Sequence, residues 1–471
     1  MILKKSSFIF LFAMCLQNVS TYAQAKFFHN PTSIRIYKSK QDSLALAALE
    51  QKISILQNST PVNGPKLDSL LTVHWNICQA AIIGFRKIYS PGKDHISLDS
   101  LSRVKDLLTV KKVSIHNYGK TSFPPVILQC KNLESLEFLN TRFKSLPKEL
   151  NSLTQLQAIK IYNNQSPGAL KLKKNRQIKT LLIRTNNPKT LPKSFRLWPE
   201  LQSLDLAENM LTRFPNGARH NSKLSELNLQ HNRLSLRRKI KRHPYVQKVG
   251  LQHNNITKVP ASIQNFHNLR KLNFNYNKIY RVHPAIGLLI KLEQLSFYHN
   301  ELESIPSGVY QIQSLREIDL FYNKIERVEP KFSRWKNLTM LYLSHNRLVS
   351  LPESIQDLSS LQGLYVWDNR MDKLPETLGN ITGLRFIWAN NNNLNHLPNS
   401  ILQLDNLEEL DVSHNFISEI PEAFFDFKHL KILSLVSNPW NRKTIEVIQR
   451  RVWELRARNV FVHISDSDPS N

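Results

Sequence analysis

The nine residues Leu338–Asn346 read LTMLYLSHN and Leu201–Asn209 read LQSLDLAEN, both with the spacing L-x-x-L-x-L-x-x-N. The inner leucines, Leu341 and Leu343 or Leu204 and Leu206, stand two apart. They point to one side of an extended segment while the residues between them point to the other. The closing asparagine recurs thirteen times, as Asn164, Asn186, Asn209, Asn232, Asn254, Asn277, Asn300, Asn323, Asn346, Asn369, Asn392, Asn415 and Asn438, at intervals of 23 residues with only two of 22. Self-similarity at a period between about 20 and 50 residues marks a solenoid with one long repeated surface.

Each asparagine has a structural task in such a coil. Where the chain leaves a strand and bends toward the next layer, backbone groups lose their ladder partners, and a side-chain amide can donate and accept in their place. None of the thirteen is read as a ligand contact. Five residues further on, most repeats carry an apolar residue and proline, as in Leu191-Pro192, Phe214-Pro215, Val259-Pro260, Leu351-Pro352, Leu374-Pro375 and Ile420-Pro421. Proline removes a donor, so it suits the return segment and not a ladder strand.

This pattern resembles the leucine-rich repeat family, in its 23-residue class with the L-P dipeptide, from Val110 to Asn438. Two further repeats precede the first asparagine, around Val110, Val113 and Ile115 and around Leu133, Leu136 and Phe138, with Tyr118 and Thr141 standing where the asparagine would be. That makes fifteen repeats. The resemblance implies an α/β solenoid, a leucine-rich repeat horseshoe with a concave parallel sheet, and an interaction role of the kind most members have.

At 471 residues the chain would ordinarily suggest two or three domains, but a repeat array grows along one axis. The reading is one solenoid with caps. Residues 1–25 hold Lys4 and Lys5, an apolar run from Phe8 to Leu16 and then Ala23, Gln24 and Ala25, a secretory signal peptide whose core is too short to span a bilayer. A retained anchor and a lipoprotein through Cys15 are the alternatives. Residues 26–109 lose the period and show helical spacing, as at Leu46, Leu49, Ile53 and Leu56, so they read as an N-terminal cap. Residues 439–471 read as a helix over Arg442–Arg458, a short strand through Val460, Val462 and Ile464, and a polar tail. After signal removal only Cys78 and Cys130 remain, as a bridge or as two buried thiols. No later stretch is apolar enough to span a membrane, so the predicted location is extracytoplasmic, secreted or periplasmic.

The charge is uneven. From Leu150 to Leu292 there are 26 Lys and Arg against four acids, a balance of +22, whereas Glu293–Asn438 carries 12 bases and 19 acids, a balance of −7. The repeats after Asn164 and Asn232 are the two 22-residue ones, lack the usual proline, and hold the densest basic runs: Lys171, Lys173, Lys174 and Arg176, then Arg237, Arg238, Lys239, Lys241 and Arg242. Such a field would draw an anionic glycan, lipopolysaccharide or an envelope surface, and the competing reading is a solvated face. Nucleic acid is the least favoured partner, because few aromatics interleave with the runs to stack bases.

The outward strand positions of repeats eight to thirteen are rich in rings: Tyr276, Tyr298, Phe321, Tyr322, Tyr342, Tyr365, Trp367, Phe386 and Trp388, accompanied by His299, Asp319, His345 and Asp368. Clustered rings with a few polar groups compose a binding patch for a protein or peptide ligand, and rings stacking across strands are the alternative. The histidines preceding the motif asparagines, such as His231, His253, His299, His345 and His414, are predicted to face water, since no three or four of them converge as metal ligands. No phosphate loop, H-E-x-x-H or G-x-S-x-G pattern occurs, and the chain is read as non-catalytic, with no cofactor.

Overall fold

The computed structural model describes residues 94–165, 170–184 and 195–464, together with the backbone of a strand pair at Ser33–Ile34 and Ile88–Tyr89. The signal segment, most of the N-terminal cap with Cys78, the repeat asparagine Asn186 and the polar tail lie outside the described residues. The chain divides into two compact units, Met1–Leu211 with His220–Asn232 and Asn471, and Thr212–Arg219 with Arg233–Ser470.

In the first unit a parallel ladder runs from Ile96–Ser97 through Lys112–His116, Ser135–Leu139, Ala158–Tyr162, Thr180–Arg184 and Ser203–Asp205 to Glu226–Asn228. In the second it runs from Lys248–Gly250 to Ile432–Ser434 and ends on Phe461–His463. Among the described residues, fifteen strands of the long sheet fall on the fifteen repeats and one more lies at either end, 17 in the sheet. Register keeps the repeat: Leu341 opposes Leu364, and Tyr342 opposes Tyr365. The motif leucines are buried, with Leu338, Leu341 and Leu343 at 0% exposure. Truncating any one to alanine would cost about 2–5 kcal/mol.

The asparagine task is visible bond by bond. Nδ2 of Asn346 donates to the carbonyls of Leu343 (2.9 Å) and Ser344 (3.1 Å) in its own turn and of Leu320 (2.9 Å) in the preceding one, while its Oδ1 accepts from the Ile325 amide at 2.9 Å. One side chain thus ties two coils. Among the described repeats the residue before the asparagine is left-handed, as at His345 (φ 50°) and Asp368 (φ 58°), a conformation that costs a non-glycine residue about 1–2 kcal/mol. The amide bonds offset that cost by holding the turn. At Thr141, which lacks the amide, the hydroxyl donates to Asn164 Oδ1 at 3.3 Å and is fully buried, so the turn keeps a polar bridge.

The prolines introduce single 3₁₀ turns on the return side, with Pro352 preceding Glu353–Asp357 and Pro421 preceding Glu422–Asp426. Residues 170–179 and 233–245, which carry the basic runs without that proline, form no such turn. At the C-terminal end the helix spans Arg442–Ala457, capped by Asn441 Oδ1 accepting from the Thr444 amide at 2.8 Å, and buries Ile448, Val452 and Leu455 while Ile445 stays exposed. Cys130 is a buried free thiol, and burial raises its pKa.

Candidate functional site

On the open face of the second unit's sheet, residues at equal repeat positions form four columns running across the strands. The column of Met340 continues through Gly363, Phe386 and Glu409. The next reads Asp319, Tyr342, Tyr365, Trp388, Asp411 in unbroken register. The third holds Tyr298, Phe321, Ser344, Trp367 and Asn390, and the last is the left-handed column of Tyr276, His299, Tyr322, His345 and Asp368. All thirteen predicted ligand-binding residues therefore lie on one face, and the columns give them unequal surroundings.

The third column is packed. Tyr298, Phe321 and Trp367 are each less than a tenth exposed, with Phe321 edge-on to Trp367 at 5.7 Å and to Tyr342 at 5.8 Å. Burial, reinforced by the neighbouring Tyr276, Tyr322 and Asp319, lifts the Tyr298 phenol well above its ordinary pKa. The left-handed column is a stack of alternating imidazoles and phenols: His253 on Tyr276 (4.3 Å), Tyr276 on His299 (5.0 Å), His299 on Tyr322 (5.9 Å) and Tyr322 on His345 (3.9 Å). Histidines predicted to face water are in part absorbed into this stack. His345 is enclosed by Tyr322, by Trp367 edge-on at 4.1 Å, and by the Asp368 carboxylate on its Nδ1. A left-handed backbone aims successive side chains along the strand-stacking direction, so rings one repeat apart meet face to face. No group of three or more His, Cys, Asp and Glu among the described residues is placed to hold a metal.

The second column presents half-buried ring faces. Tyr342 and Tyr365 stack at 4.7 Å with planes 19° apart, and Tyr365 and Trp388 follow at 6.1 Å. Gly363 makes this possible, because a Cβ there would lie 2.7 Å from Met340 Sδ and 2.8 Å from Tyr365 Cε2. Trp388 Nε1 donates to Glu409 Oε2 at 3.1 Å, which fixes the indole. Asp319 is buried. It accepts from Ser296 Oγ at 2.8 Å and from the Phe321 amide at 3.1 Å, yet burial outweighs those bonds and raises its pKa to about 7. Asp411 and Glu409 are raised by burial as well. Asp368, predicted to share a face with Asp319, lies two columns away and is engaged with His345. The sequence reading missed Met340, Gly363, Glu409 and Asp411, although the repeat register alone puts them beside the rings.

The two basic runs stay exposed in full: Lys171, Lys173, Lys174 and Arg176 in the first unit, and Arg237, Arg238, Lys239, Lys241 and Arg242 in the second. They alternate with buried anchors, Leu172 and Asn175 in one and Ile240 and His243 in the other. Desolvation lowers the His243 pKa to about 4. None of the nine bases pairs with a carboxylate among the described residues.

These features define a leucine-rich repeat solenoid with an aromatic sheet face, and comparison with known proteins agrees. The leucine rich repeat family profile matches residues 176–234, 313–371 and 389–439. A leucine-rich repeat protein of Leptospira interrogans is 25% identical, with 79% of this chain and 100% of that one covered at a TM-score of 0.61. A chain of the Toll–Spätzle complex of Drosophila is 20% identical over 73% of this chain and 52% of that one, with a TM-score of 0.59. The Arabidopsis receptor kinase HAESA ectodomain, in complex with an IDA peptide hormone, is 24% identical over 70% and 61%, with a TM-score of 0.50. No curated protein matches the sequence significantly. No helix among the described residues is long and apolar enough to cross a membrane.

Proposed function

We propose that this chain is an exported, non-catalytic recognition module that binds a protein or peptide segment on the ring face of its second unit. Leucine-rich repeat proteins generally mediate protein–protein recognition. The observation that supports the reading here is the second column, where Tyr342, Tyr365 and Trp388 turn half-buried ring faces outward in one register while the neighbouring columns hold them rigid. Rigid aromatics supply contact area with little loss of side-chain freedom, which is what binding hot spots use. The signal-like first 25 residues support export, and mass spectrometry of the mature N-terminus tests it.

Because Trp367 is packed against Phe321 and His345, the informative variant replaces Tyr342, Tyr365 and Trp388 together with alanine. Capture of partners from an extracellular fraction should be lost while the circular dichroism spectrum is kept. Retained capture would remove the reading.

Exposure of the nine unpaired bases favours a second activity, attachment to an anionic glycan, lipopolysaccharide or envelope surface through the basic runs. Binding to such a surface should weaken steeply between low and high salt.

A further inference from the structure

The second column begins and ends on carboxylates: Asp319, then Tyr342, Tyr365 and Trp388, then Asp411. Asp319, Asp411 and Glu409 have no Lys or Arg within ion-pair distance among the described residues. The bases nearest to Glu409 are committed elsewhere, since Arg385 Nε and Lys431 Nζ both donate to Glu408 at 2.6 Å. The first unit treats its acids differently. Glu137 receives Lys160 Nζ at 2.8 Å, and Asp205 receives Arg184 through Nη2 at 2.6 Å and Nε at 3.3 Å.

A carboxylate kept from water without a counter-ion is costly, and a ring face carries negative potential. Both call for positive charge. A guanidinium already lies on this face, with Arg385 over the Phe386 ring at 5.1 Å. Asn390, on the same face as Trp388, is only 6% exposed and its Oδ1 has no donor, so it too offers an acceptor. The balance of −7 over Glu293–Asn438 extends the same sign around the site.

We infer that the ligand of this face is cationic, a peptide or protein segment that lays arginine or lysine side chains on the Tyr342–Tyr365–Trp388 rings between Asp319 and Asp411. This rests on the recognition role proposed above. Four strand spacings of ~4.8 Å separate the two carboxylates, ~19 Å in all, which an extended segment of about six residues spans at ~3.3 Å each. Two basic residues about six apart would therefore stand over both ends of the column. An anionic segment would add like charge to a face whose acids have no Lys or Arg to neutralise them.

The test uses the intact protein and four capped, fluorescently labelled ten-residue peptides in a Ser/Thr background, with two Arg, two Lys, two Gln or two Glu placed six apart, titrated by polarisation at low and high salt. The Arg peptide should bind at least about tenfold tighter than the Gln peptide, and the Glu peptide weakest. The double variant Asp319→Asn, Asp411→Asn should erase the preference for the Arg over the Gln peptide while its circular dichroism spectrum matches that of the parent, which separates loss of charge from loss of fold. Equal binding of the Gln or Glu peptide, lost in Trp388→Ala, would overturn the cationic assignment and leave the recognition surface standing. Failure of all four peptides to bind, with Trp388→Ala indistinguishable from the parent, would overturn both.

Discussion

The same strand position carries opposite electrostatic solutions in the two units. In the first, the column through Glu137, Lys160 and Asp205 is neutralised internally, with Lys160 on Glu137 and Arg184 on both Asp205 and Glu208. In the second, Asp319 and Asp411 flank three rings and hold only hydroxyl and amide donors. Internal pairing makes a finished surface, since each charge already has its partner. Unpaired acids beside aromatic faces make a surface completed by something else. The difference also explains where substitution should hurt.

The largest effect falls on the paired side. Arg184→Met leaves buried Glu208 and half-buried Asp205 without their cation and should cost about 3–5 kcal/mol, read by urea unfolding. A cost under about 1 kcal/mol would break the comparison. On the unpaired side the response to pH should be reversed. Burial raises Asp319 to about 7 from its ordinary 3.8, so the folded chain keeps a proton that the unfolded chain releases between those values. That contribution is complete below the lower value and is lost as pH rises through the upper one. Calorimetry of the parent should show a melting temperature falling from about pH 4 to about pH 7, and Asp319→Asn should flatten that fall.

A smaller change sharpens the picture of the platform. Gly363→Ala places a Cβ against the Met340 sulfur and the Tyr365 ring edge, both of which can move, so stability should drop by only about 1–3 kcal/mol. Ligand capture should suffer more than stability, because the displaced Tyr365 ring breaks the column. Smallest of all, replacing Arg237, Arg238, Lys239, Lys241 and Arg242 with glutamine should shift stability by no more than about 0.5 kcal/mol per site, since all five are exposed and unpaired. Adsorption to anionic vesicles measures their charge separately, and no change there would reduce the run to a solvating face.

Much of this is legible in the letters of the chain. The period places every repeat strand, and the missing proline after Asn164 and Asn232 marks two return segments whose described residues form no 3₁₀ turn. The stripe was legible as a set, yet not as four columns with distinct fates. Trp367 and Trp388 look equivalent in a list of outward aromatics, but one is nearly buried under His345 and Phe321 while the other is held face-out by Glu409. The histidines gave no sign of their stacking with tyrosine. That contact depends on the left-handed backbone at the residue before each asparagine, where ordinary strand alternation no longer applies.

By itself, the sequence determined the solenoid, its fifteen repeats, the asparagine bonding between coils and the split into a basic and an acidic half. Those follow from short-range spacing, because a side chain's inward or outward direction in a strand alternates with its number. Only the tertiary structure decided which outward residues are free to meet a ligand and which acids lack a counter-ion. Both depend on neighbours 21 to 23 residues away. Those neighbours meet only when one coil is laid on the next, and the local motif leaves their identity open.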